Sequence, residues 1–565
     1  MGMIGNPPAV RVLRRQRSFR AALTLSAAAL AALVPLIAAC GSGTPSASTS
    51  NAADTGTPKD GGNLTFLIQE FPTGWVSSES NISSYEGNLW GEITDKLLYV
   101  SSTGQISPWI ATSYQTEDNA QKFILHLKTG VTFSDGEALN AAAVVDNIDL
   151  WAKGDPSRGI AKVGLFPALN FTKAVALNTD TVEVDFSKPT LGFIPTLGYH
   201  GCILLSPKTL ALPVNQQANL LNEFGSGPFV VKSYQQGVSY TLVRRADYDW
   251  GPPALGHTGP AYLDSLTYKV VADESTRESA VVAGDAQVDF NVTPADIPSL
   301  ESQGFTVGTP RYLGFVDGFQ VDAGVAPTNS LAVRQAIQHA INRTQILDTI
   351  YPKGWDAATT FIQGTVPQAA NDTALFNYDP ALSSKLLTQA GWVLGANGIR
   401  TKDGQTLDFN LIPNPYVPST QQEDELIAQQ LAKVGIKAQL KLVALSNYVS
   451  VADAHPAPPL LSTSRSFVSF STVGGVLTSL NDGENWFGVG TSDKTLDSLS
   501  EQIESASTQS QLDSIADQVQ TYVLQQGYFI PVVQLVQRIY LIAPQVHGVT
   551  YNGLAYANFY TAWLS

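Results

Sequence analysis

Residues 425–443 read ELIAQQLAKVGIKAQLKLV, and this stretch narrows the possible folds more than any other. Leu426, Ile427 and Leu431 recur at helical spacing, Gly435 follows as a C-cap, and Ile436, Ala438, Leu440 and Leu442 then alternate as the inward face of a strand. Helix, glycine and strand in this register mark an α/β layer, because the helix can bury its stripe only against the sheet that follows. The logic recurs at 377–392, NYDPALSSKLLTQAGW. There Asp379 is the N-cap, Pro380 the first helical residue, Leu382, Leu386 and Ala390 the expected buried face, and Gly391 the stop.

Residues 122–154 add a strand with Phe123, Leu125 and Leu127 inward and a turn at Thr129-Gly130. Val131 and Phe133 form a second alternating piece, Asp135-Gly136 a second turn, and Asn140 caps a helix whose face carries Val144, Ile148 and Trp151. A strand is expected from Asn63, helices over 496–506 and 512–523, and a last apolar strand in YFIPVVQLV from Tyr528. The chain has 565 residues, 44% of them hydrophobic, enough for two or three domains.

The first 39 residues are different in kind. Arg11, Arg14, Arg15, Arg17 and Arg20 precede the apolar run Ala21–Ala39, with no acidic residue before Cys40. A positive region, an apolar region and small residues at the cut make an export signal. Ile37-Ala38-Ala39-Cys40 resembles the lipobox of bacterial lipoproteins, which implies a lipid on Cys40 as the new N-terminus and attachment to the extracytoplasmic face of the cell membrane. Residues 40–60 are a Gly/Ser/Thr tether without large apolar side chains, with ends roughly 25 Å apart on average. Beyond residue 39 the chain carries 28 basic against 48 acidic residues, a formal charge of −20. That surface repels phosphates, so nucleic acid is excluded as a partner. Cys202 is the only other cysteine, which leaves no disulfide framework in the body.

Several segments together resemble the extracytoplasmic solute-binding proteins of the peptide/nickel class (family 5), which feed ABC importers. LKTGVTFSDG (127–136) is similar to that family's Leu-Arg-x-Gly-Val-x-Phe-x-Asp-Gly run. FGSGPFVVKSYQQGVSYTLVRRADY (224–248), SLAVRQAIQHAINRTQIL (330–347), YDPALSSKLLTQAGW (378–392) and NWFGVGTSDKTLDSL (485–499) continue the likeness. The residues of these motifs read as scaffold, with Gly130, Asp135 and Gly136 shaping turns. The resemblance implies an α/β, two-lobed periplasmic-binding-protein-like fold of type II, with an extra subdomain inserted in lobe one. Lobe one would take 61–85, 225–312 and 530–565, the insert 86–224, and lobe two 313–529. A ligand would be enclosed between the lobes, and an oligopeptide or peptide-like solute, a membrane permease and a monomeric state are expected.

In dipeptide-binding relatives an aspartate of lobe two takes the ligand ammonium and an arginine in an Arg-Pro-Tyr-x-Pro segment takes the carboxylate. Here that segment is Asn414-Pro415-Tyr416-Val417-Pro418, so the arginine is replaced by Asn414. The first acidic residues of the aspartate region are Asp482 and Glu484, next to Trp486, with Arg465 earlier in it. The expected ligand-binding residues are therefore Trp75, in the loop after the first strand, with Asn414, Tyr416, Arg465, Phe467, Asp482, Glu484 and Trp486 from lobe two.

A catalytic constellation is not evident. Gly-x-Ser-x-Gly, His-Glu-x-x-His and Walker patterns are all missing, and the six histidines (126, 200, 257, 339, 455 and 547) lack ligand spacing. No enzyme activity, cofactor or protein-bound metal is expected. The alternatives are a lipid-anchored extracytoplasmic hydrolase, whose paired carboxylates sequence spacing cannot reveal, or a binder of a glycan or metal chelate.

Overall fold

Asn140 accepts a hydrogen bond from Ala143 N at 3.1 Å and starts the helix Ala141–Lys153, which buries Val144, Ile148 and Trp151 and stops at Gly154. The computed structural model describes residues 56–71 and 84–565, apart from 164–165, 418, 453, 455, 464–466, 468, 475–476, 479–486, 535 and 537. The signal segment, Cys40, Trp75, Arg465, Asp482, Glu484 and Trp486 lie outside the described residues.

Two large sheets organise the chain. The first has seven strands in the order Thr306–Gly308, Tyr540–Ile542, Val288–Phe290, Asn63–Ile68, Ser265–Val270, Ser239–Arg244 and Phe229–Gln235. Asn63–Ile68 runs parallel to both of its neighbours, and the remaining pairs are antiparallel. The second has five strands in the order Lys437–Leu440, Asp408–Ile412, Leu460–Thr463, Asp317–Val321 and Phe529–Val533. A separate antiparallel sheet of four strands is built from Ala111–Glu117, Lys122–Leu127, Thr181–Phe186 and Phe171–Ala176. The chain passes from the seven-stranded to the five-stranded sheet over 309–316 and returns over 534–539.

The helix–glycine–strand unit forms as Thr420–Ala432, Gly435 at φ +89° and Lys437–Leu440. Its strand is the edge of the sheet and ends at Leu440, so Leu442, expected inward, is 62% exposed. Asp379 caps Pro380–Gln389 through Leu382 N at 2.8 Å, as expected. The fully buried positions are Ser383 and Leu387, while Leu386 and Ala390, expected on that face, pack half-buried against the same core and Leu382 is half-buried. A serine hydroxyl explains the rotation: Ser383 Oγ donates to Ala336 O at 2.7 Å, and its small size lets this helix sit against Leu331–Ala340. Val131 and Phe133 are buried but form only an isolated bridge, Thr132 to Ala138, because the turn at Asp135-Gly136 reverses the chain too soon for a ladder. Arg334 and Arg343, from the 330–347 motif, are scaffold. Arg334 Nε donates to Gln526 O and Arg343 Nε to Pro531 O, each at 2.7 Å. Among the described residues no helix is long and apolar enough to cross a membrane.

Candidate functional site

In the five-stranded sheet, Asp408–Ile412 lies parallel to both of its neighbours and antiparallel pairing flanks them. The carboxyl ends of 408–412, 460–463 and 529–533 and the amino end of 317–321 therefore share one edge. Loops at the carboxyl ends of parallel strands are where α/β sheets build ligand sites. Both chain crossings leave from this edge, so it faces the first sheet.

Asn414 lies in the loop leaving that edge and is 3% exposed. Its Oδ1 accepts Tyr416 N at 3.0 Å, and its carbonyl accepts Thr420 Oγ1 at 2.9 Å. The amide thus folds the loop into an Asx turn and holds the start of the next helix. Val417, three residues on, packs with Tyr312 of the first crossing and Ala555 from the C-terminal stretch. Tyr416 is half-buried, edge-on to Tyr448 with ring centroids 5.9 Å apart. Phe467 lies beneath the crossing: its N donates to Leu313 O at 3.0 Å, and its ring meets Phe315 at 5.4 Å. The structure brings Asn414 and Tyr416 to one loop and sets Phe467 in the aromatic core behind it.

Arg538 of the return crossing was missed in the sequence. It is 3% exposed, with its guanidinium 4.2 Å from the Tyr556 ring centroid and 5.8 Å from that of Tyr312. A signal was present: Arg538 is the only Asp, Glu, Lys or Arg from residue 518 to the C-terminus. An arginine stacked on aromatic rings at this seam supplies positive charge beside the loop where Asn414 is neutral. An open cavity of about 590 Å³ also lies at the seam, with Ile106, Pro195 and Leu313 on one side and Gln368, Ser469 and Asp517 on the other. That volume is in the range of small-ligand sites.

A second group was not legible either. Asp317, Glu423 and Asp424 are buried under the same edge at 0%, 1% and 0% exposure. Tyr351 donates its hydroxyl to Glu423 Oε2 at 2.6 Å, whereas both carboxyl oxygens of Asp317 and of Asp424 lack a well-formed hydrogen bond. Burial, with mutual repulsion, raises Asp317 and Asp424 well above the carboxylate range. Burial likewise raises Glu423 to about 7, against the pull of Tyr351 and Arg343. Asp317 and Asp424 thus favour the protonated form far more than an ordinary carboxyl does, and Glu423 is close to half-protonated at neutral pH. Among the described residues no three His, Cys, Asp or Glu side chains are grouped to hold a metal ion.

Residues 105–466 match the family model of bacterial extracellular solute-binding proteins, family 5 middle. The glutathione-binding protein GsiB of Escherichia coli strain K12 is 26% identical over 332 residues, 59% of this chain and 60% of that protein. The chain therefore matches only about three-fifths of that relative's length. Among solved structures, NikA from Brucella suis in complex with Fe(III)-EDTA aligns with TM-score 0.75 at 20% identity, over 89% of this chain and all of the other. The oligopeptide-binding protein AppA from Bacillus subtilis, in complex with a nonapeptide, aligns with TM-score 0.72 at 20% identity over 90% and 100%. The dipeptide-binding protein from Pseudoalteromonas sp. SM9913, in complex with Met-Leu, gives 0.76 at 17% over 89% and 100%. These likenesses establish the α/β, two-lobed periplasmic-binding-protein fold. The family match spans more than half of the sequence, and the chain belongs to the bacterial extracellular solute-binding proteins of family 5.

Proposed function

We propose that the chain is the substrate-binding protein of an ABC importer, capturing an oligopeptide or peptide-like solute between its lobes and delivering it to a membrane permease. Lobe one would comprise 61–85, 225–312 and the C-terminal stretch after the return crossing 534–539, with 86–224 inserted. Lobe two would run from 313 to 533, because Phe529–Val533 pairs with Asp317–Val321 and moves the boundary expected at 530. The observation that carries the reading is the seam itself. Two crossings tie two sheets, and the Asn414 loop, Tyr312 and Arg538 meet where a solute would be enclosed. Nothing in this reading requires chemical change of the solute. The peptide-binding and glutathione-binding relatives favour a peptide backbone as the recognised chemistry.

Asn414 cannot offer the charged fork with which arginine holds a carboxylate. A free dipeptide held at this loop would forfeit a charge-assisted bond of about 1.5–3 kcal/mol, roughly tenfold to more than a hundredfold in affinity. Calorimetry against a di- to hexapeptide series that includes glutathione is expected to show weak dipeptides and tighter, longer or end-blocked peptides. Small-angle scattering is expected to show a smaller radius on saturation. Saturation without change in radius would overturn enclosure between lobes, and no binding across the series would overturn the peptide reading. Tight dipeptide binding lost on C-terminal amidation would place the carboxylate on another cation, with Arg538→Gln as the variant that tests it.

The export signal and Ile-Ala-Ala-Cys support processing before Cys40, with a lipid on that cysteine. Two or more acyl chains would suffice for stable anchoring. Mass spectrometry of protein from native membranes is expected to show a diacylated N-terminal Cys40. A cleaved, lipid-free terminus on membrane-bound protein would refute it.

A further inference from the structure

Away from the seam, Lys96 is buried without a counter-charge in contact. It is 6% exposed and follows the helix Ser84–Ile93, with its Nζ 6.0 Å from the centroid of the Trp109 ring. Neither a hydrogen bond nor an ion pair to Nζ exists among the described residues, so three N–H donors are unused. The two neighbouring acids make their hydrogen bonds elsewhere, Glu92 through Oε1 alone, with its buried Oε2 unpartnered. Asp95 accepts Tyr248 OH at 3.0 Å and Trp250 Nε1 at 2.8 Å, and Glu92 accepts Phe559 N at 2.8 Å.

Lys96 lines a small cavity of about 30 Å³ with Tyr99, Trp109, Tyr248, Asn552 and Tyr560. One water needs about 10–15 Å³ of such volume, so the space admits two waters or one halide-sized ion, and a tetrahedral oxyanion is too large. Asn552 adds a second donor. Its Oδ1 already accepts Leu554 N at 2.9 Å and Tyr556 N at 3.2 Å, which fixes the amide orientation and leaves its N–H pair for other acceptors. A buried ammonium without an acceptor is costly, and among the described residues none of the oxygens that line the cavity is in hydrogen-bond contact with Lys96 Nζ.

We propose that this cavity is a site for a small monoanion of chloride size, held by Lys96 Nζ and the Asn552 amide. The ion would brace the segment Lys96–Trp109 against the C-terminal stretch Asn552–Tyr560. Burial supports the charge balance: it raises Glu92 to about 8 and Asp95 to about 7, so at neutral pH these acids only partly neutralise Lys96. Burial also lowers Lys96 to about 8, which still leaves it mainly charged at pH 7.

The test uses the full folded chain at constant ionic strength. Replacing gluconate by chloride or bromide is expected to raise the thermal midpoint by a few degrees and to saturate, as binding to the folded state alone requires. Crystals grown with bromide are expected to show an anomalous peak within hydrogen-bond distance of Lys96 Nζ. Lys96→Met should abolish the halide effect, and the exposed Lys353→Met should retain it. A water peak with no anomalous signal, or a midpoint indifferent to halide, would show that the cavity holds water only and overturn the proposal. The bromide map and salt series on the unaltered protein decide the matter even if Lys96→Met does not fold.

Discussion

Arg277→Ala is expected to cost about 3–5 kcal/mol of stability, the loss typical when one partner of a buried ion pair is removed. Arg277 is 1% exposed on the helix Glu274–Ala283, and its Nε donates to Asp289 Oδ1 at 2.7 Å. Asp289 is wholly buried on Val288–Phe290, between Asn63–Ile68 and Tyr540–Ile542. The guanidinium also reaches Val271 O at 2.9 Å and Phe290 O at 3.2 Å, so alanine strands a carboxyl and carbonyls in the middle of a sheet. Burial raises Asp289 to about 7 even with the arginine present. Without it the carboxyl would take up a proton, and the loss should be smaller at pH 6 than at pH 8. Urea melts at both values check this. A loss under about 1 kcal/mol at pH 8 would mean that the pair is not ionised in place.

The second large effect is on pH dependence. Glu423 is raised to about 7 by burial, and burial also raises Asp317 and Asp424 well above their ordinary values. The folded chain therefore binds protons that the unfolded chain releases near its ordinary carboxyl values, about pH 4–4.5. Stability from this group is fully present below that range and is lost as pH rises through about 7. Glu423 alone accounts for about 3 kcal/mol of that loss. Thermal midpoints are expected to be higher at pH 5.5 than at pH 8. Glu423→Gln, which can still accept the Tyr351 hydroxyl, should exceed the parent by a small margin at pH 5.5 and by a larger one at pH 8. Glu423 also repels Asp317 and Asp424, so the difference between the slopes reports this group of three together, and the remaining buried acids are common to the two chains. A variant with the same slope as the parent would assign the pH dependence to Asp95, Asp289 and Glu92 instead.

Local chemistry made much of the fold legible. Asn140, Asp379 and Gly435 act where a cap or a stop was expected, since a cap depends only on neighbours a few residues away. The face of Pro380–Gln389 is centred one residue on from the expected stripe because Ser383 packs by size and hydrogen bonding, which a hydrophobicity pattern does not weigh. The site was less legible for a related reason. Asn414 could be identified from its segment, but its use of Oδ1 to fold its own loop appears only in three dimensions. Asp317 lies far before Glu423 and Asp424 in the sequence, and only the sheet edge brings them under one loop.

Strand order also has a consequence for how the chain comes into being. Tyr540–Ile542 is an interior strand of the seven-stranded sheet, between Thr306–Gly308 and Val288–Phe290, while Phe529–Val533 completes the other sheet. Neither sheet can be completed until residues 529–542 have left the ribosome. A growing chain thus holds its earliest strand, Asn63–Ile68, in a sheet that still lacks a strand made hundreds of residues later. Long-range closure of this kind is slow, because loop entropy must be met before the distant contacts reward it. The topology itself leaves both large sheets incomplete until the strands after residue 528 exist, and a polypeptide in that state can still be threaded across a membrane.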